Sequence, residues 1–277
     1  MKNFFKILMG AIIALIFVSE VPAQIRRGNE RVVELSPSEA QDMWNAFKRM
    51  KISGDYAMGF TITHSPRHGD NEEYVGEIFG GERNGDTVTR IRVKKAGDKS
   101  AKVSDFILVN SPRNSSVWKA ENGKFSLLDK SEWLKPMVEG LIFSPFDILM
   151  PYINWRHKYA GAGRIGQAVY FFDLSPDNDI GDKISNVKIA VTREFNSPAQ
   201  TQIFDAKGGI LKTVTLGSVK KTDGLWIVLE LSARDEASRD KDKLRFRAAK
   251  LNTVIDSAVF DTARKPVEPP RLEMRPL

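Results

Sequence analysis

Between residues 55 and 65 the chain reads DYAMGFTITHS, and its side chains alternate with a period of two. Tyr56, Met58, Phe60 and Ile62 fall on one face; Ala57, Gly59, Thr61 and Thr63 fall on the other. Such alternation predicts a strand with one apolar face. Comparable runs follow at 72–80, 86–95, 102–110, 115–120 and 124–128, each bounded by Gly, Asn, Asp or Pro. They resume at 156–165, 168–175, 185–195, 200–206, 209–219, 224–233 and 242–252. Turns as short as AKGG (206–209) and KTDG (221–224) force antiparallel neighbours. Strands and helices do not alternate, which argues against a doubly wound sheet.

Two regions depart from this period. Ser36-Pro37-Ser38-Glu39 is a helix start, with a capping serine, proline at the first helical position and a glutamate able to close a capping box. Ala40, Met43, Phe47 and Met50 then recur at helical spacing until Ser53-Gly54. Residues 131–152, SEWLKPMVEGLIFSPFDILMPY, are apolar and broken by Pro136, Pro145 and Pro151. They predict short helices at about 131–142 and 145–150, the second capped at Ser144 with Asp147 in its first turn. The fold class is mainly β, an antiparallel sheet with a few helices. A sheet with so few helices must cover its apolar face or curl around it. With 16 Phe, 8 Met and 5 Trp, composition fits an interior cavity and a packed core equally well.

The first 23 residues read as a secretory signal peptide: Lys2 and Lys6, an apolar run over 7–18, and Val21 and Ala23 at the cleavage positions. Twelve apolar residues reach only about 18 Å as a helix, short of the ~30 Å hydrocarbon core, so cleavage after Ala23 and release into the periplasm are expected. Residues 24–35 read as a flexible arm, 36–262 as a single domain, and the proline-rich 263–277 as an extended strap or a disordered tail. The chain has no cysteine, which excludes disulfides, thiolate metal sites and an N-terminal lipid anchor. The formal charge of +7 fits a mildly basic solvated surface or an approach to anionic membranes. No dense basic patch points to nucleic acid.

The candidate chemistry is thin. Gly161-Ala162-Gly163-Arg164-Ile165-Gly166 has the spacing of a dinucleotide-binding loop, but QAVYFFDLSP after it reads as a strand, where that loop requires a helix. Gly166-Gln167 is better read as a hairpin turn, and no dinucleotide or other cofactor is expected. His64 and His68 are four apart but flank Pro66 in a polar loop, and His157 reads as a surface residue. SPDNDIGDK (175–183) lacks the sixth-position glycine and final glutamate of a calcium loop, and DEASRDKDK (235–243) reads as a solvated hairpin loop. No G-x-S-x-G elbow occurs, and no motif supports paired catalytic carboxylates. No catalytic or metal site is expected.

The second half carries a family pattern. Gly166 with Tyr170 to Pro176, then Asp205, Gly208 and Lys212, then Asp223, Gly224 and Trp226, and finally Phe260 and Asp261 stand in its order and spacing; Val228 stands where proline is frequent. The chain resembles the LolA-like outer-membrane lipoprotein-sorting family, most clearly after residue 140. The resemblance implies a strongly curved, incomplete antiparallel β-barrel with a helical lid, and a carrier of acylated lipoprotein or lipid between inner- and outer-membrane transport components. Its alternative is a non-enzymatic stress sensor or scaffold on the same fold, bound to a membrane protein. The family's site is a greasy interior, so no catalytic residue carries over. On this reading Met58, Phe60 and Ile62 line the cavity floor. Phe143, Phe146, Leu149 and Met150 belong to the lid.

Overall fold

The computed structural model describes residues 32–98, 100–176, 183–222 and 225–277. The signal-peptide segment, most of the arm, most of 175–183, and Asp223 and Gly224 lie outside the described residues.

Helix α1, Pro37–Arg49, begins as its sequence dictates. Glu39 accepts from the Ser36 backbone N–H at 2.8 Å, and Pro37 opens the first turn. Strands β1 (Asp55–Ser65), β2 (Glu72–Arg83), β3 (Asp86–Lys95), β4 (Ser104–Asn110), β5 (Ser116–Glu121) and β6 (Lys124–Leu127) form an antiparallel meander. A connecting segment carries a 3-10 turn (Lys130–Glu132), the short helix α2 (Pro145–Leu149) and a second 3-10 turn (Pro151–Asn154). A second meander follows: β7 (Arg156–Ile165), β8 (Gln167–Ser175), β9 (Ile184–Thr192), β10 (Pro198–Asp205), β11 (Ile210–Thr222), β12 (Leu225–Asp235) and β13 (Lys241–Thr253). The two join where β13 pairs with β1, giving the order β6-β5-β4-β3-β2-β1-β13-β12-β11-β10-β9-β8-β7. A two-residue strand β14, Arg275–Pro276, completes a 14-stranded antiparallel sheet that does not close, because β6 and β7 remain edges.

The alternation in β1 sets the two faces. Tyr56, Met58, Phe60 and Ile62 are buried in the main interior cluster, and Ala57 packs in a second cluster on the opposite face. The large rings on β1 need room on β2. Gly76 lies opposite Phe60 and Gly80 opposite Tyr56, and a Cβ at either would sit 2.3 Å from the facing ring. Backbone without side chains lets both aromatics lie flat across the neighbouring strand.

Beyond Arg245, β13 loses β12 as a neighbour, since their pairing covers only Glu230↔Arg245 to Arg234↔Lys241. β14 takes the vacated edge, pairing Ala248↔Pro276 and Ala249↔Arg275, and Leu277 packs against the interior. The preceding residues run as a strap over the outer face. Ile255, Val259 and Phe260 are buried there, with Leu272 and Met274 packed beside them. Three arginines tie the strap down. Arg90, 1% exposed, pairs with Asp105 (2.9 and 2.6 Å) and donates to the carbonyls of Val259 (2.9 Å) and Val267 (2.7 Å). Arg83 bridges Asp55 and the Ile255 carbonyl, and Arg92 pairs with Glu268.

The predicted helix at 131–142 does not form. After one 3-10 turn the chain bends at Pro136 and Gly140 (φ +89) and loops back, with the Met137 N–H on the Phe143 carbonyl at 3.0 Å. The segment spreads Trp133, Met137, Leu141, Ile142 and Phe143 into the interior. A helix would turn part of that apolar run away from it.

Candidate functional site

Residues 133–155 cross the inner face of the sheet and fill it. Phe143, Phe146 and Leu149 are 0% exposed and Met150 9%; beneath them Met58, Phe60 and Ile62 are 2, 3 and 0% exposed. All seven predicted lining and lid residues belong to one buried cluster. Phe60 meets Phe246 of β13 edge-on at 6.2 Å, while Phe146, Tyr152 and Trp155 pack as a trio with centroids 5.6 to 6.3 Å apart. Helix α1 closes a further stretch. Trp44 lies 5.0 Å from Phe172 and stacks on His157 at 4.9 Å. His157, expected at the surface, is half-buried: one ring face lies against Trp44, and Nε2 meets Gln41 at 3.2 Å on the exposed side. Partial burial and nearby Lys48 hold its imidazole below the usual value.

Polar bonds hold the covering segment mainly near its middle and its far end. In the middle, Asp242 of β13 accepts the backbone N–H groups of Ile142 (2.6 Å) and Phe143 (2.9 Å) on one carboxylate oxygen; the other meets His64 Nδ1 at 2.7 Å. Lys212 of β11 donates to the Ile142 carbonyl and to Asp147, both at 2.7 Å, and lies 3.4 Å from Ser144 Oγ. Asp147 also accepts from the Ser144 N–H and hydroxyl, fixing the start of α2. Beside them the Tyr74 hydroxyl lies 3.2 Å from the Glu139 carbonyl. At the far end Asn110, fully buried on β4, donates to the Leu149 carbonyl at 2.5 Å and accepts from Asn154 at 2.8 Å. Between α2 and the second 3-10 turn, Met150 takes the left-handed conformation (φ 49, ψ 51) directly before Pro151. A methionine there costs about 1–2 kcal/mol relative to ordinary backbone.

Burial pushes the Asp242 carboxyl above the ordinary carboxylate range, against the opposing pull of the two N–H bonds and His64. These ionisable groups face the covering segment's backbone, so their visible work is to fix that segment. Among the described residues no group of three or more His, Cys, Asp or Glu is placed to hold a metal ion, and no helix is long and apolar enough to cross a membrane.

His64 is a correction to the sequence reading. It ends β1 in a buried position, not in a polar loop. Lys212 and Asp242 were missed as site residues. The signal was register: His64 continues Tyr56, Met58, Phe60 and Ile62, and Asp242 precedes Leu244 and Phe246 on the inward face of β13. A charged group in an inward register announces a buried partner. The glycine pattern at 161–166 resolves as expected: Gly166 (φ +69) turns β7 into β8, and no helix follows it.

Three solved structures share this architecture. A DUF1329 family protein from Desulfovibrio piger superposes with a TM-score of 0.69 at 13% identity, covering 83% of this chain and 99% of its own. A domain from Vibrio parahaemolyticus described as an outer-membrane lipoprotein-sorting protein gives 0.67 at 14%, covering 82% and 96%. The chain has the LolA-like fold. A LolA superfamily protein from Nitrosomonas europaea agrees, with a TM-score of 0.60 at 14% identity, covering 81% and 98%. A family model described as "-like: Uncharacterized protein" matches residues 148–264, the second meander and the start of the strap. No curated protein matches. At these identities the likeness establishes the LolA-like fold and leaves the cargo to be argued from the site.

Proposed function

We propose that this protein is a non-enzymatic periplasmic carrier that shelters the acyl chains of a lipid or lipoprotein during sorting to the outer membrane. The observation that carries the reading is the composition of the cover. Residues 133–155 present aromatic, leucine and methionine side chains to an equally apolar sheet, while a few polar bonds near the middle and the far end hold them in place. In the closed state the lid's own side chains occupy the space an acyl chain would take. Loading is then an exchange: the lid lifts, and Met58, Phe60 and Ile62 pass from the lid to the cargo. Methionines on both sides suit an interior that must repack around chains of different shape. A chain of about 16 carbons gains ~0.8 kcal/mol per buried CH₂, about 12 kcal/mol gross.

In this reading residues 1–23 are a signal peptide cleaved after Ala23, residues 36–262 form one domain, and the partners are acylated cargo and the membrane components that deliver and accept it. The experiment is native mass spectrometry of protein purified from the periplasm without detergent, followed by titration with a fluorescent fatty acid. A co-purified acylated species, or saturable uptake lost in Phe60→Asp, is the expected result. A clean apo mass with no uptake refutes the carrier.

A further inference from the structure

Among the described residues, every partner of the Lys212 ammonium belongs to the lid: the Ile142 carbonyl, Ser144 Oγ and Asp147. The residue is 8% exposed. It stands at the hairpin end of β11, ahead of Val214 and Leu216, which pack against the interior cluster. The sheet's own acids are engaged elsewhere. Asp242 of β13 has a sheet partner in His64, whose Nδ1 lies 2.7 Å away. Asp235, opposite Lys212 on β12, accepts the Ala237 and Ser238 N–H groups of its own turn at 2.9 and 2.8 Å. Asp242 therefore keeps a partner when the lid leaves, and Lys212 keeps none.

The lid's half of this ion pair is imperfectly met. Asp147 Oδ2 takes the Lys212 ammonium, the Ser144 N–H and the Ser144 hydroxyl, while Oδ1 is buried with no donor among the described residues. A buried acceptor left without a donor costs free energy, so the closed pair is a poor lock. When cargo replaces the lid, Asp147 leaves with α2. An uncharged cargo would then cover the ammonium with no counter-charge, a state that buried charges avoid. We infer that the cargo is an anionic amphiphile, and that Lys212 exchanges Asp147 for its phosphate or carboxylate as the lid lifts. The head then sits at the hairpin end of β11, and the chain runs inward along Val214 and Leu216. This deepens the carrier reading and rests on it: the interior holds the chain, and Lys212 selects the head.

The test titrates dodecyl phosphate and dodecyl maltoside, each below its micellar concentration, into wild type, Lys212→Gln and Lys212→Arg by calorimetry. The methyl signals of Met58 and Met150 report whether the chain enters the interior. The readable quantity is the ratio of the two affinities, because the cost of lifting the lid enters both equally. Wild type should prefer the phosphate, and Lys212→Gln should cut that preference about tenfold, the worth of one charge-assisted hydrogen bond. Lys212→Arg should keep it. A merely structural latch would move both affinities together and leave the ratio unchanged in Lys212→Gln; that result overturns the head site and leaves the carrier standing. If neither amphiphile binds and both methyl signals stay still, the carrier reading fails and the head site with it. Inorganic phosphate binding as tightly as dodecyl phosphate overturns the amphiphile in favour of a free anion.

Discussion

The same sheet is covered on both faces, and the two covers are attached in different ways. On the outer face the strap is held by guanidinium groups: Arg83, Arg90 and Arg92 reach from β2 and β3 to its carbonyls and to Glu268. On the inner face the lid is held by two acids, one lysine and two asparagines, acting largely on its backbone, with purely apolar contact between. Arginine's rigid, always-charged fork makes several bonds at once and does not titrate. The lid's anchors include groups that can change charge. On the carrier reading, the outer cover stays and the inner one is released.

Breaking the outer attachment should have the largest effect. Arg90→Ala leaves the Asp105 carboxylate buried without its bidentate partner and strips two strap carbonyls of their donor. The expected loss is about 3–5 kcal/mol of global stability, read by urea denaturation. Protein that still folds should take up fatty acid with unchanged affinity. If uptake falls while stability holds, the outer cover is not merely structural and the contrast fails.

Next comes the inner latch. Asp242→Ala leaves the Ile142 and Phe143 N–H groups and His64 without their shared acceptor, at about 2–4 kcal/mol. Asp242→Asn should cost far less, because its carbonyl still accepts from the lid and its amide can face the His64 nitrogen. Hydrogen exchange at Ile142 and Phe143 measures both. Faster exchange confined to the lid in the alanine variant is expected; global acceleration would place Asp242 in the frame instead.

The same carboxyl should give the lid a pH dependence opposite in sign to that of the outer cover, where Asp55, pulled up by burial but held below its ordinary value by Arg83 and the Ile255 N–H, loses its stabilising charge as pH falls. The folded protein holds the Asp242 proton more tightly than the unfolded chain does, since burial raises its value. Stability from this group is therefore highest at low pH and falls as pH rises from the unfolded value, about 3.9, through the raised folded one. Glu72 and Asp240, both held low by their hydrogen-bond partners, push the other way, so the readable quantity is the difference between wild type and Asp242→Asn. That difference should favour the wild type at the acid end and shrink or reverse toward neutrality. A flat difference would mean that the folded protein holds the Asp242 proton no more tightly than the unfolded chain does.

Much of this division was legible in the sequence. Period-two alternation places nearly every strand within a few residues, because each has one wet and one dry face or a short turn at its end. The inward burial of Met58, Phe60 and Ile62 follows from the same alternation, and that of Phe143, Phe146, Leu149 and Met150 from the proline-broken run at 131–152. Three things were not legible. The stretch 133–144 has helix-compatible residues, but its shape is set by the interior it must fill. The Lys212, Asp147, Asp242 and His64 cluster joins positions up to 178 residues apart, and only the inward register of single charges hints at it. Arg90 and Arg92 of TVTRIRVKK share the outward face beside Asp105, and which strap groups each of them meets depends on how the strap crosses the strands, a contact between positions up to 177 residues apart.

The smallest effect tests the lid's hinge, and it rests on the order of two substitutions. Met150 is buried, so removing its side chain costs packing whichever small residue replaces it. Met150→Ala and Met150→Gly lose almost the same contacts, and the difference between them isolates the backbone. In ordinary right-handed or extended backbone, glycine is the less stable of the two by about 0.5–1 kcal/mol. At φ 49 and ψ 51 the alanine Cβ carries the left-handed penalty of about 1–2 kcal/mol and glycine does not. The order should therefore reverse, with the glycine variant more stable by up to about 1 kcal/mol. Since the outer strap is untouched, the difference should appear in lid exchange rates as well as in the denaturation midpoint. If alanine proves the more stable, Met150 does not hold the left-handed turn in solution, and the lid stores no strain for opening to release.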